Sequence, residues 1–152
     1  MRRIIYTSRA APGCDRAELI RLLYHARLSN EARGLSGVLL HSQGRFLQIL
    51  EGRTWKLLSS FEKIRQDQRH RDVTVVWERS IAAPTFPGWP IRYFDDRNLF
   101  KAHAEMTAAA GGTLPAAIEE ALQAFAVESL MAAPALSPAL PEAVPPSSPR
   151  PY

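Results

Sequence analysis

The chain of 152 residues is predicted to fold as an α+β sandwich, a five-stranded mixed sheet with two helices on one face. Apolar residues follow strand or helix periodicity in the order strand, helix, strand, strand, helix, strand, strand. That order contains two crossovers, and right-handed crossovers put both helices on the same side of the sheet. Gly, Pro and Asn residues punctuate the segments at the joins. The pattern βαββαββ is the ferredoxin-like arrangement.

The first strand covers residues 2–8 and ends in Ala10-Ala11-Pro12-Gly13. Asp15 supplies an N-cap with Glu18 three residues on, and Leu19, Leu22, Leu23 and Ala26 recur at helical spacing to Asn30, so a helix spans 15–30. Gly34 breaks it. Strands over 35–41 and 45–50 flank Gln43-Gly44, a two-residue hairpin turn. The second helix, 54–66, presents Leu57, Leu58, Phe61 and Ile64 as its buried stripe. A fourth strand covers 73–78. The fifth, 89–94, contains Pro90 and therefore belongs at a sheet edge. Trp55 and Trp77 are assigned to packing.

The back of the sheet is apolar too, with Ile5, Leu47 and Ile49 on it. Helices at 96–109 and 115–131, or a second copy of the protein, are the candidates to cover it. The domain plan is therefore 1–95 for the ligand-binding domain, 96–131 for a helical extension and 132–152 for a disordered tail. Seven of the 12 prolines fall in those last 21 residues, a composition that resists packing.

A 46% hydrophobic, 22% charged composition is that of a soluble globular chain. Residues 1–95 hold 16 Lys/Arg against 9 Asp/Glu, and residues 96–152 hold 3 against 6. Positive charge thus gathers on the folded core, which suits an anionic group such as phosphate and equally a solvated Arg-rich surface. Cys14 is the single cysteine, so no intrachain disulfide and no Cys-based metal site forms. The four His residues lack ligand spacing, so no metal is expected, and His25 and His41 are taken as ordinary polar residues. No run resembles a signal-peptide core or a membrane span, which places the protein in the cytoplasm with no membrane partner.

Gln48 poses the chemical question. It lies inside the apolar run Phe46-Leu47-Gln48-Ile49-Leu50, on the same strand face as Phe46 and Leu50. A buried amide without a partner there costs about 1–3 kcal/mol. Tyr6 shares a face with Ile4 and brings a hydroxyl, and Asn30 is a third polar group able to converge on the same space. Each has a plain structural alternative: a half-buried strand tyrosine, an amide satisfied by backbone, a helix C-terminal Asn. A polar ligand among the three satisfies all of them at once.

In this order and spacing the residues resemble the BLUF family of blue-light sensors that use a flavin. The resemblance rests on Tyr6, on Asn30 in SNEARGLSGVL, on Gln48 in GRFLQILEG, on IRQDQRH closing the second helix, and on Trp89 in PGWPI. It is close over 1–95 and extends in outline to the whole chain, which is similar to the short stand-alone members that bind FAD and act through a partner. It implies that the ring slots between the helices, with Asn30 on its C4 carbonyl and N3–H edge and Gln48 bridging N5 or O4 to the Tyr6 hydroxyl. Leu22, Leu23, Leu50 and Ile64 would wall the ring, and Lys63 would lie near its carbonyls. Asp67, Arg69 and His70 match positions along the ribityl chain and outer cofactor, with Ser29 a minor contact. Trp89 is close to the flavin in many members. Ile91 replaces the methionine common two residues later, which puts the output route through the fifth strand in question.

The resemblance further implies a mechanism in which blue light drives an electron and a proton from the tyrosine to the flavin. Recombination leaves Gln48 rearranged and the flavin absorbance shifted to the red. An amide suits this role because its two ends differ, so that turning it exchanges donor for acceptor. The expectation is a non-enzymatic photoreceptor with noncovalent FAD, a downstream signalling partner and a homo-oligomeric state. Three alternatives share the scaffold. A nucleic-acid-binding module needs exposed aromatics on the central strands. An acylphosphatase-type enzyme needs a phosphate cradle that HSQGRF only grazes. A flavin-dependent oxidoreductase would carry a nicotinamide fingerprint, which the sequence lacks.

Overall fold

The computed structural model of the protein describes residues 1–132. The expected disordered tail, 132–152, lies outside the described residues except for Ala132, which ends the last helix. The elements are β1 (Arg2–Ala10), α1 (Arg16–Arg33), β2 (Ser36–Ser42), β3 (Arg45–Gly52), α2 (Thr54–Gln66), β4 (His70–Ser80), β5 (Arg92–Phe94), α3 (Leu99–Ala109) and α4 (Ala116–Ala132). The sheet order is β4-β1-β3-β2-β5. Every neighbour is antiparallel except β5, which runs parallel to β2. This is the ferredoxin-like sandwich with one added edge strand.

Local chemistry fixes the joins. Asp15 caps α1 by accepting from the Glu18 N–H at 2.9 Å. The helix ends at Gly34, whose φ of 65° is a left-handed conformation suited to glycine, with its N–H on the Asn30 and Glu31 carbonyls. Asn30 is thus one turn inside the helix rather than at its end. Gln43 and Gly44, φ 51° and 71°, make the tight hairpin turn. Gly37 is obligatory for a different reason, since a Cβ there would lie 2.1 Å from the Ile49 carbonyl oxygen. The last strand is shorter than expected because Pro90 removes a donor, so regular pairing to β2 starts only at Arg92.

The two faces of the sheet are covered differently. On the back, Ile5, Val38, Leu40, Leu47 and Ile49 pack against Ala102 and Met106 of α3, Ile118, Leu122 and Phe125 of α4, and Phe86 and Phe94. The extension helices occupy the surface through which a homo-oligomer was expected, so that ground for self-association is gone. On the front, α2 buries Leu57 and Phe61 on Ile4, Leu35 and Leu50, while Leu58, expected in that stripe, is exposed. Trp55 is 69% exposed and does not pack. The other front helix behaves unlike α2: of the 18 residues of α1, only Asn30 is buried. A helix with that little packing stands off the sheet and leaves a space beneath it.

A buried ion pair anchors the long β4–β5 connection. Arg3 Nε donates to Glu51 Oε1 at 2.7 Å, with side chains 6% and 0% exposed. The second Glu51 oxygen accepts from the backbone N–H groups of Thr85 at 2.7 Å and Phe86 at 3.2 Å. Arg3 also donates to Thr85 Oγ1 and lies over the Trp77 ring. Removing one partner of such a pair strands the other charge in the interior, so Glu51→Ala is expected to cost about 3–5 kcal/mol in urea unfolding. An unchanged denaturation midpoint would show that the connection does not depend on this carboxylate.

Candidate functional site

The space under α1 is a cleft of about 210 Å³ between the two front helices and the sheet. Its floor follows from register: Tyr6 of β1 is opposite Gln48 of β3, which is opposite Leu39 of β2, so the three side chains form one row across the sheet. The Tyr6 hydroxyl donates to Gln48 Oε1 within this row. Tyr6 is 2% and Gln48 7% exposed. Phe61 of α2 rests on the Tyr6 ring, centroids 5.1 Å apart. Asn30 descends from α1 and its Nδ2 donates to the Pro90 carbonyl at 2.6 Å.

Two polar atoms remain open. Gln48 Nε2 and Asn30 Oδ1 have no hydrogen-bond partner among the described residues, although both side chains are buried. A donor and an acceptor lining the same cleft complement a ring edge on which a carbonyl adjoins an N–H. The pyrimidine edge of a flavin has that pattern, so the donor set fits the group.

Burial pushes the Tyr6 phenol far above its usual range, and the Asp67 carboxylate adds to the shift. Asp67 itself is held below the ordinary carboxylate range by Arg69, whose guanidinium grips it at 2.6 Å and whose N–H donates to it at 3.0 Å. His70 Nε2 lies 2.6 Å from the Ile64 carbonyl. Of the basic residues at the mouth, Arg69 and His70 are therefore engaged, and Lys63 has no ion-pair partner among the described residues.

Most of the residues singled out in the sequence meet here. Leu22, Leu23, Ser29 and Asn30 contribute from α1, Lys63, Ile64, Asp67, Arg69 and His70 from the end of α2 and the start of β4, and Tyr6 and Gln48 from the floor. Two do not line the cleft. Leu50 is instead buried in the core cluster with Ile4, Leu35, Leu57 and Phe61. Trp89 stacks on Phe86 at 5.4 Å and 7° and belongs to the core behind the sheet. The chain bends at Pro90 instead of continuing as a strand, so residues 89 and 91 lose their common side and Ile91 enters the cleft instead. Ser8, Leu39, Phe46, Ala26, His25 and Ser60 also line it. Strand parity with Tyr6 and Gln48 would have found Ser8 and Phe46, and helical spacing from Leu22 to Asn30 would have found Ala26. The position of Ser60 had no such signal.

A ferredoxin-like sheet whose front row is polar, roofed by a helix that stands off it, defines a domain built around a planar ligand with a polar edge. Residues 1–92 match the family described as BLUF, sensors of blue-light using FAD, and the chain belongs to that family. The members of that family are sensors of blue light that use a flavin. Photoactivated adenylate cyclase subunit alpha of Euglena gracilis is 39% identical over 78 residues, 51% of this chain and 8% of that protein. The structure of Klebsiella pneumoniae BlrP1 with FMN and cyclic diGMP superposes with a TM-score of 0.64 at 32% identity, covering 70% of this chain and 29% of BlrP1. The photo-activated state of BlsA gives a TM-score of 0.62 at 27% identity, over 86% of this chain and 94% of BlsA. The chain thus spans a small part of the cyclase subunit and under a third of BlrP1. The base-stacking alternative finds no surface, since Tyr6 and Phe46 are 2% and 4% exposed. No helix among the described residues is long and apolar enough to cross a membrane.

The buried phenols set an alkaline limit. Tyr93, half-buried on β5, is pushed up to about 12, chiefly by burial, and Tyr6 is raised further. The unfolded chain releases these protons near pH 10 whereas the folded chain keeps them. Stability is therefore intact below about pH 10 and falls as pH rises toward 12. Urea midpoints measured across that interval should fall less steeply for Tyr6→Phe than for the parent protein; equal slopes would mean that the phenol ionises in place.

Proposed function

We propose that the cleft holds FAD noncovalently and that Tyr6, Gln48 and Asn30 together form the contact that light rearranges. The observation that carries this reading is the Tyr6–Gln48 hydrogen bond in the floor, beside the open Gln48 Nε2 and Asn30 Oδ1. The flavin, when bound, supplies blue-light absorption and an excited state that accepts an electron. Asn30 would anchor the ring edge through Oδ1. Tyr6 is the nearest reductant in the floor, and its raised pKa keeps it a neutral phenol at physiological pH. Losing an electron alone would leave a cation in an apolar interior, so the proton leaves with it, and Gln48 Oε1 already accepts that hydrogen. Gln48, the amide that accepts from Tyr6, can turn end for end, exchanging the donor it shows the ring for an acceptor without moving the backbone. Leu22, Leu23, Ala26 and Ile91 exclude water from this exchange.

Among the cleft's basic residues Lys63 is the one unengaged cation among the described residues, which makes it the main candidate for a cofactor phosphate. The family description favours FAD over FMN, and chromatography of the cofactor released by heat decides between them. The relatives place effector activities in the same chain, as the name photoactivated adenylate cyclase states. For this protein we infer a cytoplasmic receptor that acts on a downstream signalling protein.

Tyr6→Phe is expected to bind flavin and to lose the light-induced red shift, read as a visible difference spectrum; a normal photocycle would remove Tyr6 from the mechanism. Gln48→Leu should likewise keep the yellow colour and lose the shift. A variant that still shifted to the red with normal amplitude would show that another group is the switch.

A further inference from the structure

α1 stands over a second space on its other side, a groove of about 350 Å³ above β2 and β5. Leu23 and Phe46 line both the groove and the flavin cleft, but none of the residues that meet the ring edge line the groove. Its floor is aromatic. His41 stacks on Phe46 with centroids 4.7 Å apart and 25° between planes, and the Tyr93 hydroxyl lies 3.4 Å from His41 Nδ1. Leu19, Ile20 and Leu23 of α1 form an apolar wall.

The charges around this floor are unequal in availability. Arg97 is folded onto Asp95 at 2.8 Å, and the Asp15 carboxylate is turned to the Glu18 N–H as the cap of α1. Asp96 accepts from Ser42 Oγ at 2.5 Å through one oxygen, and its other oxygen has no partner among the described residues. Arg16 is at the mouth, exposed, without an ion pair among the described residues. At the floor the charges that act on His41 are those of Asp96 and Asp95, while Tyr93 feels these two carboxylates together with the opposing Arg97 and Arg16. Burial outweighs the carboxylates at His41 and keeps this imidazole neutral, so it does not repel a cation.

An aromatic and aliphatic enclosure with an available carboxylate at its edge suits a ring that bears a positive charge: the ring packs on the hydrocarbon and the cation meets both the carboxylate and the aromatic faces. We propose that this groove is a second ligand site, distinct from the flavin cleft, for a small aromatic amine in its ammonium form. The site does not depend on which flavin the first cleft holds.

The test is isothermal titration of the flavin-loaded full chain, in darkness, with phenethylamine, 2-phenylethanol and phenylacetate. Phenethylamine is expected to saturate one site and to bind about fivefold tighter than the neutral alcohol, the order expected of one carboxylate contact with a cation–π contact, and phenylacetate weakest. Asp96→Asn should remove most of phenethylamine's advantage over the alcohol with the flavin absorption band unchanged, and Leu19→Trp, which fills the groove, should abolish binding of both. Lack of saturation, equal binding of the three probes, undiminished binding by Leu19→Trp, or release of flavin during the titration would overturn the proposal.

Discussion

A polar row across an otherwise apolar sheet face is the constraint on which the rest of the structure depends. Tyr6 and Gln48 are cross-strand neighbours and satisfy one another with a single hydrogen bond, which leaves one amide donor over. A helix packed directly on that row would bury an unsatisfied N–H at a cost of about 1–3 kcal/mol. α1 instead stands away and lets one residue, Asn30, reach down. The standing-off creates the cleft, and under the proposed function a flavin ring would complete the row. Fold and cofactor would then be two parts of one solution, with α1 taking its apolar contacts from the ligand and not from the sheet.

The asymmetry between the two front helices has the same origin. α2 places Leu57 and Phe61 on Ile4, Leu35 and Leu50, all apolar, and packs closely. α1 offers Leu22, Leu23 and Ala26 to the cleft and carries Ile20, Tyr24 and Leu28 on its exposed side, so its sequence has no single buried stripe. That explains why spacing alone located the helix and could not say how deeply it sits. Strands and turns were legible because period-two patterns, Gln43-Gly44 and Gly34 act locally. Tyr6 and Gln48 were legible for the same reason and, with Asn30, line one cleft, whereas Leu22, Leu23, Lys63 and Ile64 were named only through the family resemblance. Trp89, which the family resemblance and not strand parity put beside the flavin, stacks on Phe86 behind the sheet, where the chain bends at Pro90 before regular pairing begins at Arg92. The covering of the back face by α3 and α4 was one of two open answers, and only long-range packing around Met106, Ile118 and Phe125 decides it.

The bend at Pro90 also joins the two sides of the sheet. On the front, Ile91 lines the cleft and the Pro90 carbonyl accepts from Asn30. On the back, Trp89 stacks on Phe86 within the core that holds α3 and α4, and the Trp89 carbonyl accepts from the Gly37 N–H at 2.9 Å. Three consecutive residues thus touch the flavin cleft, an edge of β2 and the extension helices. Ile91, at the position where the family commonly has methionine, lines the wall of the cleft.

Magnitudes separate the parts of this connection that can respond from those that cannot. Turning one amide changes the system by about 0.5–1.5 kcal/mol, the net worth of a hydrogen bond. The Arg3–Glu51 pair that holds Thr85 and Phe86 is worth about 3–5 kcal/mol against loss of a partner. A rearrangement at Gln48 can therefore bias the single contact between Asn30 and Pro90, which is of its own size, and leaves the anchor at Phe86 in place. The moving part is then short, bounded by Asn30 on one side and the Phe86–Trp89 stack on the other. A population shift of that energy is at most about tenfold, so under the proposed function the output would be a change in the occupancy of two arrangements and not an unfolding of β5.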